Sequence, residues 1–165
     1  MDIALLLADF GGRLEQSSLG DWVRVTPYLY PVLESLHILG IAMLVGPVLA
    51  VDLRLLGVGR AALPVTIVAR YLLPLSHFGF AVVALTGAAM FVAIAQAVTT
   101  SAVAAWKFGL IAVAGLNIVV FHTGIYRTVG AWDLGARTPL RARAAAAVSA
   151  LCWTCVIVAG RFLAY

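Results

Sequence analysis

Four long stretches of this 165-residue chain contain no Asp, Glu, Lys or Arg, namely residues 35–51, 71–106, 108–126 and 144–160. A helix needs about 17–25 mainly apolar residues to cross the hydrocarbon of a bilayer. The stretches therefore predict four transmembrane helices, numbered 1 to 4, at about 29–53, 72–97, 105–127 and 144–164. Polar residues 99–101 interrupt the longest stretch, so it holds a single span.

Composition supports a membrane protein and excludes several other classes. The chain is 64% hydrophobic and only 11% charged, whereas a soluble domain is about one quarter charged. The net charge is +4, but the basic residues form no stripe, which excludes a nucleic-acid module. The chain has only two cysteines, which excludes a disulfide scaffold. The predicted fold class is all-α, a four-helix transmembrane bundle (28–165) in contact with the lipid bilayer.

Residues 1–27 form a separate N-terminal segment in this prediction. Its apolar run, residues 3–8, is too short for a signal peptide and lacks a basic region before it. Residues 2–16 instead predict a short interfacial helix, broken or bent at Gly11-Gly12. Aromatic residues at 22, 28 and 30 lie where an interfacial aromatic belt is expected, just before helix 1.

Basic residues predict the orientation of the bundle. Seven of the eleven Lys and Arg residues lie in the loops after helices 1 and 3. These seven are Arg54, Arg60, Arg70, Arg127, Arg137, Arg141 and Arg143. Because basic loops stay on the cytoplasmic side, both termini are predicted outside. The expected location is the inner membrane of a bacterium, as a multi-pass protein with periplasmic termini.

All three histidines, His37, His77 and His122, fall within predicted spans. An ionisable side chain inside a membrane is costly and is a functional candidate by default. His77 and His122 each lie about five residues from the inner ends of helices 2 and 3, so both are expected about 7 Å inside the boundary.

Two histidines at matching depth are the arrangement that ligates haem iron from both sides. Small residues leave room beside them, at 81, 84 and 88 on helix 2 and at 115 on helix 3. The pattern predicts a haem b site with His77 and His122 as ligands. Arg54, Arg70 and Arg127 are candidates to bind the haem propionates. Another metal, or histidines that only form hydrogen bonds or carry protons, stay open.

A second candidate site lies near the outer end of helix 1. Glu34 and His37 are three residues apart and share a helix face. The pair predicts a second haem or metal ligand set, a polar quinone contact or a proton-transfer step. A simpler role for Glu34, as an interface residue that only hydrogen-bonds His37, stays open. On helix 4, Cys152 and Cys155 have a spacing that suits Cu(I) or redox chemistry. Buried cysteines also serve simply as small apolar residues.

Several short segments between residues 30 and 122 carry a family resemblance. They read YPVLESLHILG at 30–40, DLRLLG at 52–57, RYLLP at 70–74, GF at 79–80, TG at 86–87, KFGL at 107–110, AGLN at 114–117 and FH at 121–122. Together they resemble a family of small bacterial four-helix membrane proteins of unknown function. More distantly, the Leu-His of helix 1 and the Trp-Lys that opens helix 3 are similar to the CopD and HemJ families. That similarity implies a haem or copper context, with His37 and Lys107 matching those families' functional histidine and lysine.

These patterns together predict a membrane b-type haem protein that transfers single electrons, with a quinone or another redox protein as candidate partner. A copper-binding or copper-transport protein using Glu34, His37 and the two cysteines is the first alternative. A structural subunit without a cofactor is the second. No enzyme class is assigned. Glycine-rich helix faces also favour a homo-oligomer.

Overall fold

The computed structural model describes residues 3–163. Seven α-helices and one 3-10 helix follow one another: α1 (Ile3–Glu15), α2 (Ser18–Val25), α3 (Leu29–Leu56), α4 (Val65–Ala93), α5 (Ala95–Thr100), α6 (Ala102–Thr123), the 3-10 helix (Ile125–Ala131) and α7 (Leu140–Phe162). No strand occurs between residues 3 and 163, and the all-α prediction is confirmed. The predicted interfacial helix begins at residue 2, and the predicted fourth span ends at residue 164. These two terminal residues lie outside the described range.

Helices α3, α4, α6 and α7 are long and apolar enough to cross a membrane. They contain 22 to 29 residues, and their most apolar windows have mean hydropathies of 1.8 to 2.1. At 1.5 Å per residue, even 22 residues extend about 33 Å, slightly more than the hydrocarbon core. The four predicted spans are therefore confirmed as helices, and they indicate a multi-pass membrane protein.

Most helix boundaries differ from the predicted ones by a few residues, and the start of α4 differs most. Helix α4 begins at Val65 rather than residue 72, and α7 begins at Leu140 rather than residue 144. Both helices contain arginines near their starts, because a long side chain can carry its charge to the interface while its backbone stays helical. Helix α6 ends at Thr123 instead of residue 127, since the backbone turns at Gly124 (φ −102°, ψ −109°).

The four long helices do not pack evenly around a common axis. Helix α3 packs extensively along α4, α6 packs along α7, and α3 also contacts α7. The α3–α4 contact is close at Gly79, where an added Cβ would lie 2.5 Å from the Leu44 nitrogen and 2.9 Å from the Gly40 oxygen. Within the described chain, α4 and α6 scarcely contact each other. The bundle is therefore closed between α3 and α4 and open between α4 and α6.

The N-terminal helices α1 and α2 pack against α5 and the adjoining end of α4. Glu15 accepts a hydrogen bond from the Gln96 backbone (2.9 Å), and Arg24 donates one to the Ala93 carbonyl (3.0 Å). The helix is not broken at Gly11-Gly12, because α1 continues through both residues. Gly11 instead allows close approach, since an added Cβ would collide with the Thr99 hydroxyl.

At the opposite end of the bundle, two loops are joined by hydrogen bonds around Asp133. Loop 57–64 connects α3 to α4, and loop 132–139 leads into α7. Both carboxylate oxygens of Asp133 accept hydrogen bonds from Thr66, each at 2.8 Å, and its carbonyl accepts one from the Val65 nitrogen at 3.0 Å. The Gly135 nitrogen donates to the Arg60 carbonyl at 3.0 Å. We call the end of the bundle formed by loops 57–64 and 132–139 and the adjoining helix ends the arginine-rich end.

Candidate cofactor-binding site

A cavity of about 350 Å³ occupies the open side of the bundle, between α4 and α6 and in front of α3 and α7. His77 on α4 and His122 on α6 both line it. Most of the remaining wall is apolar, including Leu44, Leu73 and Phe121. Its size and its few polar groups are typical of a small-molecule or cofactor site.

The cavity opens sideways. His77 and His122 are both exposed, as are the lining residues Phe80 and Ile118. In a bilayer this opening faces either lipid or a neighbouring protein. A flat apolar molecule that enters it would lie between the two histidines. Away from the cavity, α4 and α6 meet through the edge-on contact of Phe91 with Phe108, whose ring centroids are 6.4 Å apart.

His122 is held in one orientation by its own helix. Its Nδ1 lies 2.9 Å from the Ile118 carbonyl oxygen. Because a carbonyl only accepts, Nδ1 carries the proton, and the neutral ring has its lone pair on Nε2. Phe121 and Tyr126 pack against the ring, with centroids 5.1 Å from that of His122. Metal-binding histidines are commonly oriented by such a hydrogen bond.

The predicted equal spacing of the two histidines from their helix ends is wrong. His77 is the thirteenth residue of α4, and His122 is the next-to-last residue of α6. The error follows from the misplaced boundaries, because α4 begins seven residues earlier than predicted and α6 ends four residues earlier. The structure still brings the two residues to one cavity. His77 borders it from near the middle of α4, and His122 borders it from the end of α6.

None of the three arginines predicted to bind propionates lines this cavity. Arg54 is buried and donates to the carbonyls of Leu63 and, at 2.7 Å, Asp133. These bonds give it a structural role in joining the two loops. Arg70 and Arg127 are exposed and directly follow lining residues, Ala69 and Tyr126.

Asp52 is a cavity residue that the sequence analysis missed. It is only 4% exposed, and its carboxyl group is hydrogen-bonded by Ser149 of α7. Its second oxygen, Oδ2, is buried without a hydrogen-bond partner. An available signal was the spacing of residues 44, 48, 51, 52 and 55, which places Asp52 on an otherwise apolar face of α3. The sequence analysis treated Asp52 as the edge of an apolar stretch.

His37 lies in a separate polar cluster nearer the N-terminal end of the bundle. The Thr86 hydroxyl donates to the Val82 carbonyl at 2.6 Å, so it accepts from His37 Nδ1 at 2.9 Å. Thr86 is nine residues from His77 along α4, which corresponds to about 14 Å. Lys107 is close enough to interact electrostatically with the His37 ring, and its ammonium lies beside Gly160. All four long helices thus contribute to this cluster.

The other predicted ligands do not join His37. Glu34 is exposed, and no hydrogen bond connects it to His37 in the described structure. Cys152 is buried among apolar residues of α3, α6 and α7, Cys155 is half-buried, and both are free thiols. Residues 3–163 contain no group of three or more His, Cys, Asp or Glu side chains arranged to hold a metal ion. The proposed copper ligands therefore do not form one cluster.

Taken together, the fold defines an all-helical membrane-protein class, with four potential spans and an apolar cavity that two histidines border. Residues 13–165 match a family model described as a family of unknown function, DUF6644. The chain belongs to this family. None of the curated proteins and none of the solved structures matches the chain significantly.

Proposed function

We propose that this protein is a membrane-embedded b-type haem protein that transfers single electrons. The observation that carries the proposal is the shared cavity, which His77 and His122 border from two helices that scarcely touch. Two imidazoles would suffice to hold haem iron, whereas most other metal sites need three or more protein ligands.

The cavity residues fit a haem group. His122 keeps Nε2 free as a ligand because its Nδ1 proton is held by Ile118. Small residues at 69, 115, 145 and 146 line the wall, so a flat ring can approach the helix backbones. When bound, haem supplies one-electron redox chemistry through its iron.

The protein's own residues would bind and orient this group. The histidines hold it between α4 and α6, and the apolar wall excludes water. Arg70 and Arg127, each adjacent to a lining residue, are the better candidates for propionate binding, because Arg54 is committed to backbone carbonyls. The sideways opening gives a quinone, our candidate electron partner, a route from the lipid.

We further propose a location in the bacterial inner membrane, with both termini outside. Seven of the eleven basic residues lie in or near the two loops of the arginine-rich end, and this distribution supports the orientation. Reporter fusions at each terminus and within residues 132–139 would test it. Activity of a periplasmic reporter at both termini, but not in the loop, is expected, and the reverse pattern would overturn the orientation.

Optical spectra provide the first test of the haem proposal. The protein would be expressed with an ample haem supply and purified in mild detergent. Oxidised and dithionite-reduced spectra would then be recorded, with metal analysis on the same sample. We expect a Soret band that shifts on reduction, sharp α-bands and iron. A colourless, iron-free sample would overturn the proposal, and copper in it would support the copper alternative instead.

Histidine variants test the ligand assignment. His77→Ala and His122→Ala should lose haem or change its spectrum, because each removes a ligand from the cavity. His37→Ala is the matched control, since His37 lies in the other polar cluster, and it should retain at least one haem. Full haem occupancy with an unchanged spectrum in His122→Ala would overturn the assignment.

A further inference from the structure

A second cavity lies at the arginine-rich end, away from the histidines. It has a volume of about 540 Å³, and three of its seven lining residues are arginines. The seven are Leu56, Gly57, Val58, Arg60, Arg137, Thr138 and Arg143. The hydrogen bond from the Gly135 nitrogen to the Arg60 carbonyl (3.0 Å) fastens the two loops that form its walls.

The arginines of this cavity have no acidic partner within the described chain. No ion pair involves Arg60, Arg137 or Arg143. The acid in the adjoining loop, Asp133, uses both carboxylate oxygens to accept hydrogen bonds from Thr66. Three arginines therefore line one concave surface without a balancing carboxylate among the described residues, which favours an external anion.

Two buried donors in the same wall also lack partners. Thr138 is only 4% exposed, yet its hydroxyl forms no hydrogen bond. The Nε atom of Arg143 is likewise buried and unpaired. Leaving a buried donor unpaired costs about 1–3 kcal/mol. Arginines that served only to orient the protein in the membrane would need neither a concave site nor these donors.

We infer that this cavity binds a phosphate group, either from a phospholipid headgroup or as free phosphate. Arginine side chains present planar pairs of donors that match the oxygens of a phosphate, and the threonine hydroxyl adds another donor. The cavity is formed where α3 ends and α7 begins, the level at which headgroups of a bilayer would lie. Basic pockets between membrane helices are known binding sites for anionic headgroups.

The test measures the thermal stability and ligand affinity of the intact protein in a neutral detergent. Three probes would be titrated separately at constant ionic strength: inorganic phosphate, short-chain phosphatidylglycerol and short-chain phosphatidylcholine. We expect at least one of the probes to raise Tm in the wild type. A response to the lipids alone identifies a headgroup site, and a response to phosphate alone identifies a free-anion site.

Arg143→Gln and Arg141→Gln form a matched pair. Both remove one positive charge from the first turn of α7, but only Arg143 lines the cavity. We expect Arg143→Gln to weaken binding at least tenfold and Arg141→Gln to change it less than twofold. Equal weakening in the two variants, or no response of the wild type to any probe, would overturn the inference.

The Thr138→Val variant tests the site in a protein that is expected to stay folded. It removes the unpaired hydroxyl and keeps the side-chain shape, so the ligand-free protein should be as stable as the wild type or more stable. Its affinity for the responding probe should nevertheless fall severalfold. Unchanged affinity in a folded Thr138→Val protein would show that the hydroxyl does not contact the anion and would contradict the site as described. The haem proposal does not depend on either result.

Discussion

Helix α4 has two contrasting neighbours. Along α3 it packs so closely that Gly79 leaves no space for a side chain beside Leu44. Facing α6, it parts from its neighbour around a cavity of about 350 Å³. In a bilayer, helices associate through close packing of small residues rather than through a hydrophobic driving force. The contrast shows that the same apolar helix can close one contact and leave another available to a ligand.

The glycines of α4 and α6 differ in the space around them, and this difference follows the contrast between the closed and open contacts. Gly79 lies against the backbone of α3, whereas Gly115 and Gly109 of α6 have open space where a Cβ would be. Gly115 lines the cavity and Gly109 does not. Substitutions at these three positions can therefore test the closed contact and the open side separately.

The largest loss of stability is expected from Gly79→Ala. The new Cβ would meet backbone atoms of α3 at 2.5–2.9 Å, and such overpacking costs about 1–3 kcal/mol or more. Unfolding by dodecyl sulfate, followed by circular dichroism, measures the change. Gly109→Ala is the control and should be neutral or stabilising by up to about 1 kcal/mol. Equal stabilities of the two variants would contradict the close α3–α4 contact.

Ser149→Ala should have the next largest effect, on the open side. It removes the hydroxyl that bonds to the Asp52 carboxyl and leaves a buried acid with fewer partners, at a cost of about 1–3 kcal/mol. In an Asp52→Leu background the same substitution should cost almost nothing. The difference between the two backgrounds is the coupling energy. A similar cost in both would show that the two residues do not interact.

Thr86→Val tests a polar contact across the closed α3–α4 side. It removes the hydroxyl that accepts from His37 Nδ1, and we expect a loss of about 0.5–1.5 kcal/mol. Thr86→Ser keeps the hydroxyl and should retain most of the stability. If the valine and serine variants are equally stable in the same unfolding assay, the hydrogen bond contributes nothing.

Gly115→Leu should have the smallest effect on stability, because the space beside Gly115 is open. Its effect on the proposed function should be large, since the new side chain would occupy the cavity. We expect the haem absorbance to fall at least severalfold while Tm stays close to that of the wild type. Gly109→Leu adds the same side chain outside the cavity and should keep its haem. Full haem content in Gly115→Leu would argue against this cavity as the binding site.

Sequence patterns predicted the secondary-structure elements better than they predicted the residues of the candidate site. Runs without charge located all four long helices, because a membrane-spanning segment must satisfy its backbone hydrogen bonds within itself and remain apolar. The same criterion misplaced the start of α4, because Arg70 lies inside the helix rather than before it. It also hid Asp52, which looked like the end of an apolar run but faces the cavity.

The roles of the arginines could not be predicted from the sequence either. Arg54 and Arg143 look alike as basic residues near the ends of spans. In the structure, Arg54 joins two loops through backbone carbonyls, whereas Arg143 lines a cavity with an unpaired Nε. These roles depend on loops that are distant in sequence and meet only after folding.

By itself, the sequence determined the helical class, the four apolar spans and the presence of three histidines within them. These are consequences of local hydropathy, which the lengths of the apolar runs express directly. Only the tertiary structure decided that α4 closes against α3 and parts from α6, that His77 and His122 border one cavity, and that His37 belongs to another cluster. The rotation and neighbours of each helix depend on packing between segments far apart in the chain, which no local pattern contains.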